Sequence, residues 1–222
     1  MFILVSVQSL LIWLPCFIGV SIFLWAVLTA PWKSLFYTPI RLHLFFACAL
    51  LLGLFWSFLT VNINQLFTVH PLIMTTIVFM FGLRLSLLLG ALALTMTHWL
   101  SLPLWELIGF HYLVNVVSPA LVTIAILHFI DHLRIQNVFI YILGGGFFGS
   151  MLAVFSTGLL AEATLWLSAS SLRFPVWDHF YLFAMLTFPE GFINGAIITT
   201  LTILRPDLVK TYNDSFYLDG KD

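Results

Sequence analysis

Apolar positions gather along this chain into seven blocks, at residues 8–30, 42–61, 70–83, 85–102, 107–130, 138–167 and 177–204, joined by short polar or Trp- and Pro-containing segments. Most of these blocks approach the roughly 20 apolar residues that a helix needs to cross a bilayer. The third is shorter. From His70 to the first charge at Arg84, a helix rises roughly 21 Å, against a hydrocarbon core about 30 Å thick. With Arg84 at one surface, His70 lies inside the opposite one, and the polar run 62–68 before it must dip inward. Non-helical backbone at that depth needs cover from protein or a water-filled cavity. The pattern therefore predicts a buried polar pocket with His70 near its floor.

Composition fixes the class. Hydrophobic residues make up 62% and charged residues 8% of the 222 positions, more apolar surface than a soluble domain covers. The expected fold is all-α, a polytopic membrane helical bundle of about seven transmembrane helices. One domain covers 1–204, and 205–222 is a short cytoplasmic tail. Of the eight Lys and Arg residues, seven (Lys33, Arg41, Arg84, Arg134, Arg205, Lys210 and Lys221) fall on one side of such a bundle, and only Arg173 falls on the other. The positive-inside rule then sets the N-terminus outside and the C-terminus in the cytoplasm. Merging the third and fourth blocks would bury Arg84 in mid-membrane. The net charge of −1 carries no information here. Cys16 and Cys48 sit in apolar runs and suggest no disulfide framework. Nothing before Lys33 is charged, so no basic leader is expected and Met1 is expected to be retained.

Orientation sorts the titratable groups. His70, His98, His111 and His179 lie toward the outside, with Glu106, Glu162, Asp178 and the Met1 amine. His43, His128 and His132 lie toward the cytoplasm. Neutral imidazoles with an amine suit a transition-metal ion such as nickel, cobalt or zinc. A lone interfacial histidine more often only snorkels toward headgroups, which is the ordinary reading of His98 and His179. His70 and His111 fall within their blocks, where a polar residue is costly unless it faces a cavity. His111, Asn115 and Ser118 share one helix face by their spacing, either as interhelical hydrogen-bonding residues or as a ligand path. In the last block Glu190 sits near the centre and must be paired, protonated or hydrogen-bonded. It is either a partner for a ligating imidazole or a group that holds helices together. Gly191 and Gly195 allow a neighbouring helix to approach closely, and Pro189 frees a carbonyl one turn earlier. No phosphate-binding loop, nucleophile elbow, H-E-x-x-H or paired catalytic carboxylate occurs, so the chain reads as no enzyme and as no ATPase by that route.

Five short motifs carry a resemblance. They are the helix from His70 to Phe81-Gly82, the 85–93 helix after it, Gly109-Phe110-His111 with Pro119 downstream, Pro189-Glu190-Gly191, and Arg205-Pro206-Asp207. In this order and spacing, from Trp32 onward, the chain resembles the CbiM/NikM family of membrane subunits of energy-coupling-factor transporters, in particular a branch known only as permeases. The resemblance implies a multi-pass inner-membrane subunit that captures cobalt or nickel as substrate, without a tightly bound cofactor. It also implies a transmembrane coupling subunit and ATPase subunits on separate chains, with no nucleic-acid partner. The family's metal histidine falls on His70. Its other ligands are the N-terminal amine, here that of Met1, and a histidine at position two. This chain begins MFILVS, so Phe2 stands where the family has that histidine, and His111 stands where the family carries an asparagine. The resulting metal-site candidates are His70, His111, Met1, His98, His179 and Glu190. The alternative is a membrane sensor or assembly module without a metal. If His111 replaces the missing histidine, His70 and His111 form one ligand set, and binding falls below about pH 6, because an imidazole must be neutral to ligate and its unperturbed pKa is about 6.5.

Overall fold

Long runs of Leu, Ile, Phe and Ala form helices because a bilayer leaves no other partner for their backbone polar groups. The computed structural model describes residues 2–3, 10–63, 67–168 and 176–217. In chain order the helices are α1 (Leu10–Thr29), the short α2 (Trp32–Phe36), α3 (Pro39–Phe58), α4 (Met74–Phe81) and α5 (Leu83–Leu100). The continuous α6 (Trp105–His132) follows. Next come α7, whose Ile140–Phe148 start runs into Gly149–Ser168, then α8 (Val176–Leu204) and a final turn, α9 (Asp214–Tyr217). Among the described residues, four helices are long and apolar enough to cross a membrane: α3, α5, α6 and most of α7. Large apolar side chains such as Phe17, Leu28, Phe188 and Ile203 are exposed on the outer faces, as expected for helices that contact lipid rather than water. The protein is an all-α membrane bundle apart from one small sheet.

That sheet is the non-helical stretch before His70. Strands β1 (Phe2–Ile3), β2 (Val61–Ile63) and β3 (Phe67–Val69) pair antiparallel in the order β1-β3-β2. Phe2 stands opposite Thr68, and Asn62 stands opposite Thr68 on the other side. The N-terminal end of β1 thus points along β3 toward His70. The Thr68 hydroxyl donates to Asn62 Oδ1 at 2.9 Å, tying the hairpin together.

The third block departs most from expectation. Its helix begins at Met74 rather than at residue 70, and its eight residues rise only about 12 Å, too little to cross alone. Pro71 biases His70 toward an extended backbone. Ile73, the residue before the helix, has φ 55°, a left-handed conformation that is strained for a β-branched residue. All eight residues of α4 are buried.

Glycines let the surrounding helices close on this core. A Cβ on Gly109 would lie 2.9 Å from Cys16 Cα, and one on Gly19 would lie 2.5 Å from the Gly109 carbonyl oxygen. The backbones of α1 and α6 therefore touch just before His111. Gly191 and Gly195 face Met151 and Phe147, so the small-residue pair on α8 seats α7 as expected.

At the far end of α4, the segment after α8 folds back beneath it. The Thr211 and Lys210 N–H groups donate to the Phe79 and Met80 carbonyls at 3.2 and 3.3 Å. Tyr141 and Thr211 share a hydroxyl hydrogen bond at 2.7 Å, and Tyr141, Tyr212 and Tyr217 form a ring cluster with centroids 5.0–5.4 Å apart. Through Tyr217, the segment after α8 packs against the bundle.

Candidate metal centre

Three elements bring three imidazoles into the interior. β3 leads into His70, the last turn of α5 carries His98, and the start of α6 carries His111, all three buried. His98 Nε2 and His111 Nδ1 are 3.0 Å apart. His98 Nδ1 lies 3.0 Å from the Leu94 carbonyl oxygen.

These contacts fix the proton positions when the rings are neutral. A carbonyl only accepts, so His98 carries its proton on Nδ1 and its lone pair on Nε2. His98 Nε2 then accepts from His111 Nδ1–H, which puts the His111 lone pair on Nε2. His70 Nδ1 lies 3.2 Å from the Pro71 carbonyl oxygen and donates to it, so His70 also carries its lone pair on Nε2. The Asn115 side chain and the His111 ring are both near enough to act on the His70 ring. Asn115 Nδ2 also donates to the His111 carbonyl at 3.0 Å. Two imidazoles with lone pairs on Nε2 and Nδ1–H groups held by an acceptor have the form in which histidine ligates a transition metal.

Local helix geometry brings Asn115 into this group. Leu113–Val117 is a widened π turn within α6, a distortion that often accompanies a functional site. Straight helical spacing put Ser118 on the same face. In the structure Ser118 instead meets Ser156 of α7 at 3.3 Å, an interhelical contact.

His98 is not the snorkelling residue its position suggested. Both of its ring nitrogens are engaged, one by Leu94 and one by His111, and its ring lies 5.7 Å from that of Trp105.

Glu190 reaches the site through backbone. Its Oε2 accepts from the Leu72 N–H at 3.0 Å, and its Oε1 accepts from the Ile73 N–H at 2.5 Å and from Asn194 Nδ2 at 2.9 Å. Asn194 Oδ1 in turn accepts from the Thr76 N–H at 2.9 Å and from the Thr76 hydroxyl at 2.7 Å. Together Glu190 and Asn194 take up the Leu72, Ile73 and Thr76 N–H groups at the start of α4, where the helix dipole also favours a carboxylate. Of the two sequence readings of Glu190, this one joins elements. With His70, Glu190 lines a largely apolar cavity of about 750 Å³ between the end of α3, α7 and α8.

One further residue at the site has no mark in the sequence. Trp56 packs its ring 5.1 Å from that of His70 and donates its Nε1–H to the Pro71 carbonyl at 2.9 Å. A smaller cavity of about 220 Å³ adjoins it, with Ser57, Thr60, Asn62, Thr68, Ser101 and Leu102 completing the lining. Trp56 thus borders this cavity and His70 alike. A tryptophan in an apolar run carries no signal that separates this role from core packing.

Met1 and the His179 side chain lie outside the described residues. Among the described residues, no group of three or more His, Cys, Asp or Glu side chains is arranged to hold a metal ion. Comparisons with protein families, with curated proteins and with solved structures find no match.

Proposed function

We propose that this chain is the substrate-capturing membrane subunit of an energy-coupling-factor type transporter for a divalent transition metal, cobalt or nickel. It has seven spans, an external N-terminus and a cytoplasmic C-terminus in the inner membrane, and it is driven by coupling and ATPase subunits on other chains. The observation that carries this reading is the pair His70 and His111, buried on different elements, both with the lone pair on Nε2. The antiparallel course of β1 along β3 supports the Met1 amine as a further ligand, as the CbiM/NikM resemblance implies. A second reading, a sensor or assembly module without metal, is favoured by the His98–His111 hydrogen bond, which engages one nitrogen of each imidazole without any ion.

Equilibrium binding of Ni²⁺, Co²⁺ and Zn²⁺ to the purified chain at pH 7.5 separates the two. Stoichiometric binding that is lost in both His70→Ala and His111→Ala is expected. Its absence in the unaltered chain, or its persistence in both variants, supports the second reading. Labelling of Asn62→Cys from outside the cell and of Asn213→Cys only after permeabilisation is expected for the proposed orientation.

A further inference from the structure

The end of α4 away from His70 gathers three cations. Lys210 lies against Gly82, where a Cβ would sit 3.2 Å from its Nζ. Gly82 is the residue on which α5 starts. Gly82 also closes α4, so the ammonium lies where the negative end of one helix dipole meets the positive end of the next. Arg84 lies two residues further on. Its guanidinium sits 5.7 Å above the Trp25 ring, and its Nη1 donates to the Thr29 carbonyl at 2.9 Å. Arg41 is placed by Phe45, one turn later on the same face of α3, whose ring meets that of Phe81 at 5.8 Å. Arg41 Nη1 donates to the Ser34 hydroxyl at 3.2 Å, which ties it to α2. Among the described residues none of the three forms an ion pair with a carboxylate; Arg205 at the same end is paired with Asp207. Partial burial, with the guanidiniums of Arg41 and Arg84 close by, holds the Lys210 ammonium below the ordinary lysine pKa.

We infer that Arg41, Arg84 and Lys210 form a cradle for the phosphate of an anionic phospholipid, seated where α2, α3, α5 and the segment after α8 meet. The surroundings favour a lipid over a soluble anion. Trp25 is exposed on the outer face of α1 beneath Arg84, and Phe36, Tyr37 and Ile40 are exposed beside Arg41. These supply apolar and aromatic surface for acyl chains at the depth where aromatic residues border a bilayer. Basic pockets between spans are known to take lipid headgroups.

The test uses the purified full chain in detergent with added phosphatidylglycerol, read by native mass spectrometry and by thermal unfolding. The unaltered chain is expected to retain the lipid and to unfold at a higher temperature, with phosphatidylcholine giving neither effect. Each charge removed by Arg41→Gln, Arg84→Gln or Lys210→Gln should weaken binding about fivefold, and all three together about a hundredfold. The single variants carry the test if the triple one does not fold. Arg205→Gln, which neutralises a paired arginine nearby, should bind like the unaltered chain. Wild-type affinity in the single variants overturns the site. So does an equal effect of phosphatidylcholine, or an equal loss in Arg205→Gln. Protection by inorganic phosphate at the same concentration overturns the lipid assignment.

Discussion

Glu190 accepts a hydrogen bond from the backbone N–H of Ile73, a residue 117 positions earlier in the chain that is held in a left-handed conformation. A strained β-branched residue persists only where its surroundings over-determine it. Here that constraint is a carboxylate from α8 aimed at the turn that presents His70.

Glu190→Ala should lower stability by about 2–4 kcal/mol, because it leaves the Leu72 and Ile73 N–H groups buried without this acceptor. Glu190→Gln keeps one acceptor oxygen and should cost about half as much. Thermal unfolding of the two variants in the same detergent checks this order, and equal losses would count against the cap.

His98→Ala should reduce nickel or cobalt affinity about 10- to 100-fold, although His98 is not itself a ligand in the proposed site, because the His111 ring loses the acceptor that fixes its tautomer. His98→Gln, which can still accept, should recover part of the loss. Equilibrium dialysis reads both, and unchanged affinity in His98→Ala would remove His98 from the site.

His70→Ala and His111→Ala should each weaken metal binding by a similar large factor. The double variant should lose much less than the two effects combined, as for residues that share one ligand. Additive losses would place the two imidazoles at separate sites.

Gly109→Ala should destabilise the bundle by about 1–3 kcal/mol, since its methyl meets the α1 backbone and has no flexible side chain to displace. Gly144→Ala should be close to neutral, because the nearest atom to an added Cβ is Ile130 Cδ1 at 3.5 Å. Unfolding midpoints of the pair check the contrast.

Much of the bundle was legible because its physics is local in sequence. Apolar blocks marked the helices, and Gly191 and Gly195 marked a close approach. The polar run before His70 marked a non-helical stretch, although not that a small sheet would form it. What was not legible depends on pairings between distant residues. The late start of α4 follows from Pro71 together with Glu190 and Asn194, and neither polar residue names its partner in the sequence. The departure of Ser118 from the His111–Asn115 face needs a π turn, which straight helical spacing does not register. His98 looked interfacial because its depth depends on how α5 tilts against α6, and no count of residues supplies that.

The construction of α4 has a consequence for the order in which the protein is made. The helix is translated about a third of the way along the chain. Yet the groups that complete its start lie 118 residues further on, and those that complete its end lie 132 residues further on. Until α8 and the segment after it have emerged, an eight-residue helix has neither the length to hold a transmembrane position nor the partners to satisfy its ends. The turn carrying His70 is therefore assembled at the close of synthesis, so a chain that stops short of residue 211 would carry every candidate ligand and still lack the frame that holds them.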